Sequence, residues 1–162
     1  MDKEGRMVLY RPRNNDIVRA TVSHEFSHAL KNSSERIGSL YDQVIEMQNK
    51  QLPEMDFNNS SNSSEQWAEL GEALLVGDPD LALLRAHENP VASSLFSVAL
   101  RRSIETRRSS AQPLENSRLT NLLNKIDEYV RPRAQQQLNK MAELLGDEHN
   151  HLIAELQKTI SN

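Results

Sequence analysis

Cysteine is absent from this chain of 162 residues. That excludes disulfides, thiol nucleophiles and thiolate metal centres. Glycine occurs five times and aromatic side chains make up 4% of the residues, so Gly-rich phosphate loops and aromatic base-stacking platforms have little to be built from. No apolar run approaches the roughly 18 residues of a membrane span. Neither sign of charge dominates, the formal net charge being −4. The acidic balance, and a basic segment without interleaved aromatics, exclude nucleic acid as an expected partner. The polar start Met1-Asp2-Lys3-Glu4-Gly5-Arg6 does not resemble a secretion signal. The expectation is a cytoplasmic protein, or one exported without a cleavable signal, with no membrane partner and no cofactor.

What the chain does contain favours helices. Leu, Ala and Met number 38 against 15 Val and Ile, a balance of good helix formers over β-branched residues. Residues 1–15 carry Arg11-Pro12-Arg13 and read as an irregular arm. From Asp16 onward Val22, Phe26, Leu30, Ser33, Ile37, Leu40, Val44 and Met47 recur at steps of three and four. This near-heptad seam predicts one long helix over 16–51, ending before Leu52-Pro53. Gly38 inside it predicts a kink or a close helix contact. Residues 52–64, with the run Asn58-Asn59-Ser60-Ser61-Asn62-Ser63-Ser64, read as a flexible linker.

Residues 65–162 predict five or six shorter helices that pack with the long one as a single all-α domain. Their punctuation is explicit. Asn62 and Glu65 form a possible capping box, and Asp78-Pro79 and Asn89-Pro90 each read as N-cap and first helical residue. Apolar stripes follow at Trp67, Leu70, Leu74 and Leu75, at Leu81, Leu83 and Leu84, and at Val91, Leu95, Val98 and Ala99. Pro132 interrupts the stripe from Leu119 to Leu145 and predicts either a kink or two helices. Gly146 is placed as a helix-ending residue, and Trp67 as a core anchor or an interface hot spot.

Charge is segregated along the chain. Residues 42–88 hold ten acids and two bases, whereas 101–118 hold Arg101, Arg102, Arg107, Arg108 and Arg118 against two Glu. Such segments can pair internally or steer a partner.

One stretch carries motifs. His24-Glu25-Phe26-Ser27-His28 is an H-E-x-x-H sequence on a predicted helix. Two His four residues apart share a helix face and can hold Zn²⁺, and the adjacent Glu can accept a proton from bound water. In this the stretch resembles the zinc-binding helix of zincin metallopeptidases. The resemblance implies His24 and His28 as ligands, Glu25 as general base, and Glu46 as the acid nearest the spacing of a third ligand. Lys31 stands where a metzincin has its Gly. His28-Ala29-Leu30-Lys31-Asn32-Ser33-Ser34-Glu35-Arg36-Ile37-Gly38 also resembles the histidine-phosphotransfer motif, which implies His28 as phosphoacceptor assisted by Lys31. Asn32 replaces that family's Gly. Ser23-His24-Glu25-Phe26 is similar to a histidine-kinase phosphoacceptor box, but no ATP-binding segment follows.

At about 100° per residue both His fall on the polar face opposite Phe26, so the imidazoles are expected to face water. The reading favoured by the sequence is therefore a non-enzymatic helical interaction module: an adaptor, a secretion-type chaperone or a regulatory subunit. The seam residues Val22, Phe26, Leu30, Ile37, Leu40, Val44 and Met47, with Arg101, Arg102, Arg107 and Arg108, are its expected contact residues. The partner is another protein, including a second copy in a homodimer. Phosphotransfer through His28 and zinc-dependent hydrolysis through His24, Glu25 and His28 are the alternatives.

Overall fold

A computed structural model describes residues 15–52, 55, 62–76, 79–108 and 117–161. The side chains of residues 15–17, 107–108 and 117–118 lie outside that description, as does the N-terminal arm up to residue 14. The described chain is all-α, without a strand. Its helices are α1 (Asn15–Ser33), α2 (Glu35–Gln51), α3 (Ser63–Val76), α4 (Pro79–Glu88), α5 (Pro90–Arg108), α6 (Ser117–Lys125), α7 (Arg131–Leu145) and α8 (Asn150–Ser161). Among them none is long and apolar enough to cross a membrane.

The single long helix expected over 16–51 is two helices, parted at Ser34. Asn32, Ser33 and Ser34 are poor helix formers whose side chains compete for the backbone, and the Ser33 hydroxyl donates to the Leu30 carbonyl at 3.1 Å. Ser34 leaves the helical region (φ −111°, ψ 56°), yet its carbonyl accepts the Gly38 amide at 2.8 Å and starts α2. Gly38 makes the close approach expected of it, because a Cβ there would lie 3.0 Å from the Lys31 carbonyl oxygen. The interruption itself falls four residues earlier.

The linker boundaries also shift. Leu52 is buried and Met55 packs against the core, so these two residues are anchored, and α3 begins at Ser63. Asn62 caps α3, its Oδ1 accepting the amides of Ser64 and Glu65 at 3.1 and 3.2 Å. Residues 53–54 and 56–61 lie outside the described residues. Asn89 caps α5 by accepting the Ala92 amide at 3.3 Å, and its side chain also exchanges hydrogen bonds with Gln48 of α2. Both amides are buried, so this pair fixes α2 against α5 without leaving a polar group unsatisfied.

Pro132 lies within a continuous helical path. Residues Ile126–Val130 form one π-helical turn between α6 and α7, and the Arg131 amide donates to Ile126 five residues back. The wider turn accommodates the ring and the missing N–H of Pro132. Gly146 ends α7 with φ +66°, a conformation that favours glycine.

The helices share one buried apolar cluster, to which α1 contributes Leu30, α2 Ile37, Leu40, Val44 and Met47, and α5 Leu95 and Phe96. The expected seam is thus turned inward: five of its apolar members are buried by the chain's own helices, and Phe26 packs against them half-buried. Those side chains do not form a surface for a partner in this conformation.

The tightest helix contact joins α1 and α3. Ser27 is fully buried, and Gly71 faces it. A methyl group on Gly71 would overlap the Ser27 hydroxyl and come within 2.6 Å of Ser27 Cβ and 2.9 Å of Phe96 Cζ. Gly71→Ala is therefore expected to destabilise the protein by roughly 1–3 kcal/mol in urea unfolding, the usual penalty of overpacking. Ser27→Gly in the same chain should recover part of that loss, and strictly additive effects would contradict the contact.

A second linkage ties α2 to α8. Arg36 donates to Glu155 at 2.7 Å, and this hydrogen bond, with the guanidinium charge, holds the Glu155 carboxyl below the usual value of 4.5. A depressed folded-state pKa gives stability that is complete above the unfolded value and is lost as pH falls through the folded one. Carboxyl NMR should show Glu155 titrating below 4.5 in the native chain and returning toward it in Arg36→Gln.

Candidate functional site

The face of α1 that carries the two imidazoles does not look into water. It packs on α3, which runs antiparallel to it, so His24 lies beside Glu72 and Glu65 while His28 lies beside Glu65 and Ser64. The cause is the small pair Ser27 and Gly71, which lets the two backbones come close enough for flanking side chains to meet. Trp67 fixes the register. It is fully buried, and its indole N–H donates to the Ser27 carbonyl at 2.7 Å. Its ring packs edge-on against Tyr41 of α2 and tilted against Phe96 of α5, both at 4.9 Å between centroids. Trp67 is accordingly the core anchor of the two roles open to it.

At the site His24 Nε2 stands 3.2 Å from one Glu65 oxygen and His28 Nε2 3.1 Å from the other. The opposite nitrogens also have partners: His24 Nδ1 lies 3.4 Å from Glu72 and His28 Nδ1 3.3 Å from the Ser64 hydroxyl. The rings meet edge-on with centroids 4.9 Å apart. The side chains of His24 and His28 keep 25% and 21% of their exposure and that of Glu65 49%, so the cluster is lateral and reachable from solvent. Next to it, Lys31 pairs with Asp42 at 2.7 Å, and the Ser63 hydroxyl donates to the same carboxylate.

Several expected participants sit elsewhere. Glu46 pairs with Lys50 on the outside of α2, away from the imidazoles. Glu25 is half-buried on α1, about 100° around the helix from His24. Arg101 does not meet the acidic segment 42–88; it pairs with Asp127 at 2.6 Å and donates to Asn124. Arg102 is exposed, and the side chains of Arg107 and Arg108 lie outside the described residues. Glu65 and Glu72 were not legible as site residues. Glu65 stands out in the sequence only through its capping position, and nothing local says which helix α3 will face.

A small cavity of about 80 Å³ lies between α2, α3, α4 and α5, lined by Tyr41, Gln66, Glu69, Arg85, Glu88 and Asn89 among others. Burial, then the charges of Asp42 and Glu69, push the Tyr41 phenol well above its usual value and keep it neutral. Neither His24 nor His28 lines this cavity.

The geometry ranks two interactions. Glu65→Gln removes a carboxylate from a half-exposed ion pair and should cost less than about 1 kcal/mol in urea unfolding. Trp67→Phe strips the donor from a buried carbonyl and should cost roughly 1–3 kcal/mol. The reverse order would contradict the anchoring role of Trp67. No protein-family model, no curated protein and no solved structure matches the chain.

Proposed function

We propose that the chain is a non-enzymatic helical protein-interaction module, and that its contact surface is the outer face of α4. The observation that carries this is the pair Leu81 and Leu84, one helical turn apart and 51% and 62% exposed. The opposite face of α4 is held by the buried residues Ala82 and Ala86, so the two leucines point away from the core for a structural reason. Large apolar side chains presented together at spacing i, i+3 are what a helix-in-groove contact uses.

Around them the surface is acidic. Asp80, Glu88 and Glu69 are exposed, with Arg85 the one base of α4 besides His87. The fitting partner is an amphipathic helix with apolar residues flanked by Lys or Arg. A twofold pairing of two copies would set acidic rim against acidic rim, so a basic partner is favoured over the homodimer. The inward seam supports moving the interface here from residues 22–47, which become its scaffold.

The two alternatives draw less support. A phosphoryl group on His28 Nε2 would meet the Glu65 carboxylate at 3.1 Å, a repulsive neighbour. A zinc hydrolase needs a substrate cleft beside H-E-x-x-H, and neither His lines the cavity between α2, α3, α4 and α5.

The test is selection of displayed helical peptides on the purified chain, followed by fluorescence anisotropy. Peptides with apolar residues at i, i+3 or i+4 flanked by Lys and Arg are expected, with binding weakened by salt. Leu81→Ser with Leu84→Ser should weaken binding at least about tenfold, or 1.4 kcal/mol, which is modest against the ~1.5–3 kcal/mol of one buried leucine. Absence of a basic amphipathic consensus, or binding indifferent to the double substitution, would sink the proposal.

A further inference from the structure

The geometry points to a divalent transition-metal site formed by His24 and His28 of α1 with Glu65 of α3, of the class that takes Zn²⁺, serving to clasp the two helices. One ligand atom from each of the three residues lies within 4.8 Å of the others. The Glu65 carboxylate spans the two rings, one oxygen 3.2 Å from His24 Nε2 and the other 3.1 Å from His28 Nε2, so a small rotation brings one oxygen into a shared coordination sphere. Two imidazoles and a carboxylate are a donor set for Zn²⁺ and its neighbours rather than for Ca²⁺ or Mg²⁺.

The surroundings of the rings are the second observation. Both Nε2 atoms lie within 3.2 Å of the same carboxylate, while His28 Nδ1 is hydrogen-bonded to the Ser64 hydroxyl at 3.3 Å and His24 Nδ1 lies 3.4 Å from a Glu72 oxygen. Outer partners on one nitrogen that leave the other free to ligate are the usual support of a metal-bound imidazole. One divalent ion would serve both rings, whose centroids lie 4.9 Å apart, and the carboxylate together. Side-chain exposure of 21–49% leaves the ion a way in and a fourth position for water.

The role inferred here is structural. The ion would bridge α1 to α3 beside the Ser27–Gly71 contact, and metal availability would set how firmly the N-terminal helix is docked. This stands apart from the α4 surface, and either can fail without the other.

The test adds ZnCl₂ to the EDTA-treated full chain and reads stoichiometry by calorimetry and Tm by circular dichroism. Expected are one ion per chain and a rise in Tm of roughly 5–10 °C at a hundredfold excess over Kd. Co²⁺ in place of Zn²⁺ should give visible absorption bands typical of four-coordinate nitrogen and oxygen ligation. His24→Ala, His28→Ala and the near-isosteric Glu65→Gln should each weaken binding at least about tenfold, while His149→Ala with His151→Ala changes nothing. Circular dichroism of the metal-free variants checks that each is folded, and Glu65→Gln serves if a His variant is not. No binding, or binding that Glu65→Gln leaves intact, would overturn the site, the latter by reducing it to a surface His pair on α1.

Discussion

The close approach of α1 and α3 at Ser27 and Gly71 is the constraint from which the rest of this structure follows. With side chains of ordinary size at that crossing the helices would stand further apart. Because one partner is a buried serine and the other has no side chain, the Trp67 indole reaches across to the Ser27 carbonyl. The same ring gathers Tyr41 from α2 and Phe96 from α5. One contact between small residues thereby locates four helices, and it also sets the distance at which Glu65 meets both imidazoles.

Two consequences bear on function. The apolar seam of α1 and α2 is enclosed by the chain's own helices, so what would be an adhesive edge on an isolated rod becomes internal packing. The imidazole-bearing side of α1 borders α3, which turns the histidine pair into a half-exposed lateral cluster with two carboxylates. Large apolar side chains stay exposed at Tyr129 and Leu144 and, as a pair, on α4, where small inward alanines and large outward leucines invert the usual arrangement of a surface helix. Around it the acids Glu69, Asp80 and Glu88 outnumber Arg85, while the basic Arg101 is taken up by Asp127.

Much of the architecture was legible. Asn62 and Asn89 cap the helices they precede, Pro79 and Pro90 open theirs, and Gly146 closes α7, because each acts through its own backbone or its nearest neighbours. The failures share a cause. The unbroken seam across Ser33 suggested one rod, yet periodicity records which side is buried and says nothing about continuity. Three weak helix formers in a row were enough to part it at Ser34. Facing differs for a related reason: the side opposite Phe26 is solvent only for a helix with one neighbour. α1 has α3 on that other side.

By itself the sequence determined the all-helical class, most helix ends and the identity of the inward residues, since propensity, capping and amphipathic period are local. Tertiary structure alone decided that the π turn would absorb Pro132, that the seam would be satisfied within the chain, and that Glu65, 37 positions after His28, would stand between the two imidazoles. Those outcomes depend on which surfaces meet, and that is a property of the packed assembly of helices rather than of any one of them.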